Sequence, residues 1–116
     1  MADAKMIEYK DFAKIDMRVG IIVKAEQFPE ARTPSYKLEI DFGEGIGKKR
    51  SSAHITNYSI ESLVGRKVVA VVNFRPKQVA NFMSEVLVLG VETERGISLL
   101  SVDEAAGVAA PGMKIS

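Results

Sequence analysis

Three observations predict an all-β fold for this chain. Apolar residues recur in strand-length runs set off by turn residues, and the one clear helical segment between them is short. The order is three strands, that helix, then two strands. This is the element order of the OB-fold, a five-stranded Greek-key barrel. An SH3-like barrel also has five strands, but offers no natural place for a helix between the third and fourth. Segments at both ends lie outside the barrel: residues 1–15 form an N-terminal extension and 97–116 a C-terminal one.

Each element has its local reason. Residues 9–15 suit one or two helical turns, with Phe12 and Ile15 on one side. Residues 17–28 read as a long strand in which Val19, Ile21, Val23 and Ala25 share a face, and Gly20 suggests a bulge or sharp coil. A loop with two prolines follows at 29–35. Residues 36–42 alternate, with Leu38, Ile40 and Phe42 inward and Lys37, Glu39 and Asp41 outward. Gly43, Gly45 and Gly47 turn the chain into a polar strand at 48–53, completing a hairpin. Residues 58–63 suit a short helix capped by Asn57 or Ser59, with Glu61 in its first turn and Gly65 past its end. Residues 67–73 and 85–91 read as strands buried on both faces, and 97–102 as a sixth strand. Pro111-Gly112 turns into a last extended piece at 113–115.

With 116 residues, 47% hydrophobic and 27% charged, the chain has the makings of a single soluble domain spanning 1–116. The absence of cysteine excludes a disulfide framework, a thiolate metal site and a cysteine nucleophile. Residues 1–16 lack the apolar core of a signal peptide, and no apolar run approaches membrane-spanning length, so the expected location is cytoplasmic with no membrane insertion. The net charge of +1 is unevenly spread. Between residues 46 and 84, Lys48, Lys49, Arg50, Arg66, Lys67, Arg75 and Lys77 face Glu61 alone, a net +6 against −5 for the remainder. Such a chain can show one basic face while near neutral overall.

Catalytic chemistry finds little footing. His54 is the only histidine and has no ligand cluster around it, so no metal and no cofactor are expected. Ser51-Ser52 beside it lack a nucleophile elbow and a placed acid, so no catalytic residue is assigned. The glycines at 43–47 open into a strand, whereas a phosphate-cradling loop opens into a helix. Binding is better supported. Lys48, Lys49 and Arg50 read either as a solvated edge that discourages aggregation or as a stripe that tracks phosphates. In an OB-fold, residues 75–83 form the loop between strands four and five, one wall of the binding groove. There Arg75 and Lys77 add cations, while Phe74, Phe82 and Met83 add apolar surface, at least one of them expected to turn inward. Charge beside apolar surface suits an unstacked base or an unfolded polypeptide equally.

The pattern Phe12-x-x-Ile15-Asp16-x-Arg18-Val19-Gly20-x-Ile22-Val23, then Phe28-Pro29-Glu30-Ala31, Lys37-Leu38, Val71-Val72-Asn73-Phe74-x-Pro76-Lys77-Gln78 and Ser84-Glu85-Val86-Leu87-Val88-Leu89, resembles the tRNA-binding-domain family. The blocks FPEAR, IDFGEGIG, SSAHIT, NFRPKQVANF and SEVLVLG are most similar to the branch described as export-related chaperones. The resemblance implies a non-catalytic OB-fold homodimer assembled through the terminal additions. Its partners would be unfolded or precursor polypeptides and the secretion machinery in the chaperone branch, or folded tRNA in the other. Asn73, Lys77 and Ser84 match positions used around the groove of the tRNA-binding branch. That branch usually has glycine at Asn81, Gly-Met at Val86-Leu87 and often proline at Arg75, and Glu85 stands at the groove rim. These departures favour polypeptide.

The expected peptide-binding residues are therefore Phe74, Arg75, Pro76, Lys77, Phe82 and Met83. For the rival, a structure-specific tRNA binder using the same face, they are Lys48, Lys49, Arg50, Asn73, Arg75, Lys77 and Ser84. A scaffold subunit with a vestigial groove is the third reading.

Overall fold

In the computed structural model, which describes residues 5–116, eleven elements follow in order. They are α1 (Tyr9–Ala13), β1 (Met17–Gln27), β2 (Tyr36–Asp41), β3 (Lys48–Ala53), α2 (Ile60–Leu63), β4 (Lys67–Val71), β5 (Lys77–Val79), β6 (Phe82–Ser84), β7 (Leu87–Val88), β8 (Gly90–Thr93) and β9 (Gly96–Leu99). An antiparallel sheet in the order β3-β2-β1-β4-β7 curls until its ends meet. At that seam Glu85 N–H donates to Arg50 C=O at 2.8 Å, and Ser51 Oγ donates to Val86 C=O at 2.9 Å. The result is the nearly closed five-stranded barrel expected of an OB-fold. The core within it holds Ile22, Leu38, Ile40, Phe42, Ile55, Leu63, Val68, Ala70 and Val86.

The β2–β3 hairpin follows the sequence closely. Leu38, Ile40 and Phe42 are buried, and β2 alternates buried with half-buried positions. The short helix is also in place: Ser59 Oγ accepts from Ser62 N–H at 3.2 Å, and Gly65 adopts φ 90° just past the helix. Asn57, the other candidate cap, instead donates to Ile97 C=O at 3.0 Å and anchors the β8–β9 hairpin.

Strand β1 departs from the single-face expectation. Pairing with β2 skips Val23, passing from Ile22↔Ile40 to Lys24↔Glu39. Val23 is the extra residue of a bulge, so the core face carries Gly20 and Ile22 before it and Ala25 after it. Ile22 is fully buried and Val23 is 37% exposed. Gly20 is not the bulge. A Cβ there would lie 2.6 Å from Ile40 Cγ2 and 2.7 Å from Phe42 Cε1, so its missing side chain admits those two residues.

The expected strand over 85–91 is also divided. Residues 87–88 pair with β4, while 90–93 leave the barrel and pair with β9 as a separate hairpin, exposed along all of β8. The segment 113–115 is extended as expected and lies on the part of β1 that β2 does not reach. Val19 N–H donates to Met113 C=O at 2.9 Å, Gly112 N–H to Val19 C=O at 2.8 Å and Ile115 N–H to Met17 C=O at 2.9 Å. Arg18 fastens this strap, donating through Nη1 to Gly112 C=O at 3.0 Å while Nε donates to Asp16 Oδ1 at 2.6 Å.

Candidate functional site

The two edge strands of the barrel, β3 at Ser52 and Ala53 and β7 at Leu87 and Val88, border a groove of about 730 Å³. The loop between β1 and β2 forms one wall through Glu30, Arg32 and Thr33. The β5–β6 hairpin forms the other through Lys77, Val79 and Ala80, and Ile55, Val86 and Val88 lie between them with His54. Apolar groups and both signs of charge therefore share one open trough.

The expected loop at 75–83 is a two-stranded hairpin. Pairing runs Lys77↔Ser84, Gln78↔Met83 and Val79↔Phe82, leaving Ala80 and Asn81 as a two-residue turn. Ala80 takes φ 51°, a left-handed conformation that costs a residue with a Cβ roughly 1–2 kcal/mol. One face of the hairpin turns Val79 and Phe82 inward, and the other turns Gln78 and Met83 outward.

Of the six residues expected to bind peptide, Phe74, Arg75, Pro76, Lys77 and Met83 are exposed, Phe74 by 56% and Met83 by 40%. Only Lys77 among the six lines the groove. Phe82 is 9% exposed and is the member of the apolar trio that turns inward. Its ring meets Phe28 edge-on at 5.5 Å between centroids, under Lys37 Nζ at 6.0 Å and Arg50 Cζ at 5.0 Å. These contacts pin the hairpin to the outer side of the sheet.

The nucleic-acid candidates scatter. Directly opposed residues of an antiparallel pair share a face, so Lys48 and Arg50 point outward opposite Asp41 and Glu39. Lys49, opposite Ile40, belongs to the other face. Asn73 is a strut: its Oδ1 accepts from Asp16 N–H at 3.0 Å, and its Nδ2 donates to Lys14 C=O at 2.7 Å. Ser84 Oγ accepts from Ser52 N–H at 3.0 Å and ties the hairpin to β3. Elsewhere in the basic segment, Lys67 pairs with Glu104 at 2.8 Å and Arg66 stacks on the Tyr58 ring at 5.0 Å. The net +6 of residues 46–84 is thus spread around the barrel.

Ser51 is buried and spends its hydroxyl on Val86, so it forms no nucleophile with the exposed His54. No group of three or more His, Cys, Asp or Glu able to hold a metal occurs among the described residues. No helix among them is long and apolar enough to cross a membrane. Sequence reasoning did not single out Phe28, Lys37 or Arg32 at this site, while His54 is exposed, one of the two outcomes expected of it. The Phe-Pro-Glu-Ala-Arg block was the available signal, since it places an aromatic and a cation at the start of a groove-forming loop.

An OB barrel with a groove between the loop after β1 and the hairpin after β4 has the groove placement of OB-fold binding modules. The family model described as "Putative tRNA binding domain" matches residues 17–113, and the chain belongs to that family. It is similar to the CsaA chaperone protein of Picrophilus torridus, with 56% identity and a TM-score of 0.90 over 96% of this chain and 100% of that one. The chaperone CsaA of Bacillus anthracis is 49% identical, with a TM-score of 0.86 over 96% and 99% of the two chains. The methionine–tRNA ligase of Bdellovibrio bacteriovorus is 40% identical over 103 residues, 88% of this chain. The chain spans only about 15% of that ligase's length, so the match concerns the binding domain alone.

Proposed function

We propose that this protein is a non-catalytic, cytoplasmic homodimer that binds unfolded or export-bound polypeptides in the seam groove, as a CsaA-like chaperone working alongside the secretion machinery. The observation that carries the reading is the lining of the groove. Val79, Leu87 and Val88 offer apolar contact above buried Ile55 and Val86, while Glu30 and Glu92 stand with Arg32 and Lys77 among the surrounding groups. An extended polypeptide presents apolar side chains and charges of both signs, whereas a polyanion meets two carboxylates here. Exposed Phe74, Arg75, Pro76 and Met83 extend the contact beyond the groove. In a dimer, two weak grooves on one flexible chain raise avidity without new contacts.

The second reading, a structure-specific tRNA binder, is favoured by the family match and by the exposed cations Lys48, Arg50, Arg75 and Lys77. The two readings differ in salt response. Contacts to phosphates make log K fall with log[salt] by about 0.7 per phosphate neutralised on single strands. Apolar polypeptide binding barely weakens with salt and strengthens in sulfate.

The test is fluorescence anisotropy with labelled bulk tRNA from low to physiological salt, repeated with an unfolded polypeptide as competitor. The expected result is weak tRNA binding that vanishes near physiological salt beside salt-insensitive polypeptide binding. Replacing Lys48, Lys49 and Arg50 by alanine then abolishes the tRNA signal and spares most of the polypeptide signal. Tight tRNA binding that polypeptide cannot displace would overturn the proposal.

A further inference from the structure

The outer face of β1–β3 is where a phosphate-tracking stripe would run, and its charges alternate. Across the strands, Lys24 stands opposite Glu39 and Glu39 opposite Arg50. One step along, Glu26 stands opposite Lys37, and at the far end Asp41 opposes Lys48. Lys24 Nζ lies 3.7 Å from Glu26 Oε2. A polar hollow of about 280 Å³ on this face is lined by Lys24, Glu26, Lys37, Glu39 and Arg50, with Asn81 and Phe82 of the hairpin beside them. Glu85 adds a further negative charge at the seam. Its Oε1 accepts from Arg50 N–H at 2.9 Å, while its own N–H donates to Arg50 C=O. Arg50, the cation best placed at the centre of the face, thus has a carboxylate across the strand and another against its main chain.

We propose that Glu39 and Glu85 are specificity-determining residues that bar polyanions from this face and leave the neighbouring groove to polypeptide. A phosphate approaching Arg50 meets both carboxylates, and each repels it at short range. Two unit charges about 6 Å apart in a water-like medium change a binding constant roughly three-fold, so removing both raises polyanion affinity about ten-fold. The inference deepens the polypeptide reading and rests on it for the favoured ligand, but its own readout is binding of RNA.

The test is Glu39→Gln/Glu85→Gln in the full chain, titrated with bulk tRNA over a range of salt and separately with unfolded polypeptide. Glutamine keeps an acceptor for Arg50 N–H, and the melting temperature verifies the fold. A Glu61→Gln/Glu94→Gln control, with both substituted residues exposed and off this face, changes the net charge equally. The expected result is a roughly ten-fold gain in tRNA affinity at low salt and a steeper salt slope for the first variant only, with polypeptide binding unchanged. Equal tRNA affinity in the wild type and the first variant, or an equal gain in the control, would overturn the assignment. Failure of both proteins to bind polypeptide would instead refute the groove reading and leave the charge result to stand or fall alone.

Discussion

Gly20 shows how one residue decides the packing around it. Ile40 and Phe42 occupy the volume its side chain would need, and both are fully buried in the core. Gly20→Ala forces them to move, and overpacking of this kind costs about 1–3 kcal/mol. Denaturant unfolding should register that loss as a lower midpoint at unchanged slope. Glu104 makes a different contribution. The Lys67 ammonium bonded to it, helped by the Ala109 N–H, holds its carboxyl below the ordinary value of 4.5. A carboxyl depressed by folding adds stability that is fully present above its unfolded pKa and lost as pH falls through the lower folded one. Glu104→Gln should therefore be less stable than wild type at neutral pH, with the difference closing in acid. Melting curves across that range check the sign, and a constant difference at every pH would rule out the linkage.

At the scale of elements, the β5–β6 hairpin is the piece that makes the groove. It leaves the barrel after β4, turns through the strained Ala80 and returns to β3 through Ser84. Phe82 is its anchor, packed on Phe28 beneath Lys37 and Arg50. Phe82→Ala removes that anchor and, for a buried phenylalanine, about 3–5 kcal/mol of stability. Amide exchange should then quicken in residues 77–84 more than in the β1–β2–β3 ladder. Uniform loss of protection would mean that the hairpin does not move independently. Two elements were poorly legible in sequence for related reasons. The bulge at Val23 lies in a run that is apolar on both faces, so periodicity cannot locate it. The break at Leu89 was hidden because residues 85–91 are also nearly all apolar, and the β8–β9 pairing is set by contacts such as Asn57 to Ile97 from elsewhere in the chain.

For the molecule as a whole, the C-terminal segment is part of the sheet system. Residues 112–115 cover the bare edge of β1, Ala109 is buried, and Glu104 reaches back to Lys67. Exposed apolar side chains remain at Met6, Ile7 and Tyr9 in the N-terminal extension and at Leu100, Val108 and Met113 in the C-terminal one. These fit the proposed role of both extensions in dimerisation. A chain ending at Gly96 loses the strap, β9 and half of that surface, and should run as a monomer on sizing with light scattering or fail to fold. A soluble dimer from that truncation would remove the C-terminal extension from the interface.

The strand–helix–strand order, the β2–β3 hairpin, the capped helix and the barrel type were all legible along the chain. Each of these is encoded by neighbours: alternation, glycine turns and a serine cap act over a few residues. Tertiary structure alone decided which charges meet. The cations at 48–50 read as a stripe along the chain. Antiparallel register sets Lys48 and Arg50 against Asp41 and Glu39, and pleating sends Lys49 to the opposite face. Barrel closure brings Glu85 to Arg50 across 35 residues of sequence. Packing on Phe28 buries Phe82, Ser84 is spent on tying the β5–β6 hairpin to β3, and Asn73 on holding the link between α1 and β1. Electrostatics depends on distance through space, and only the closed barrel fixes those distances.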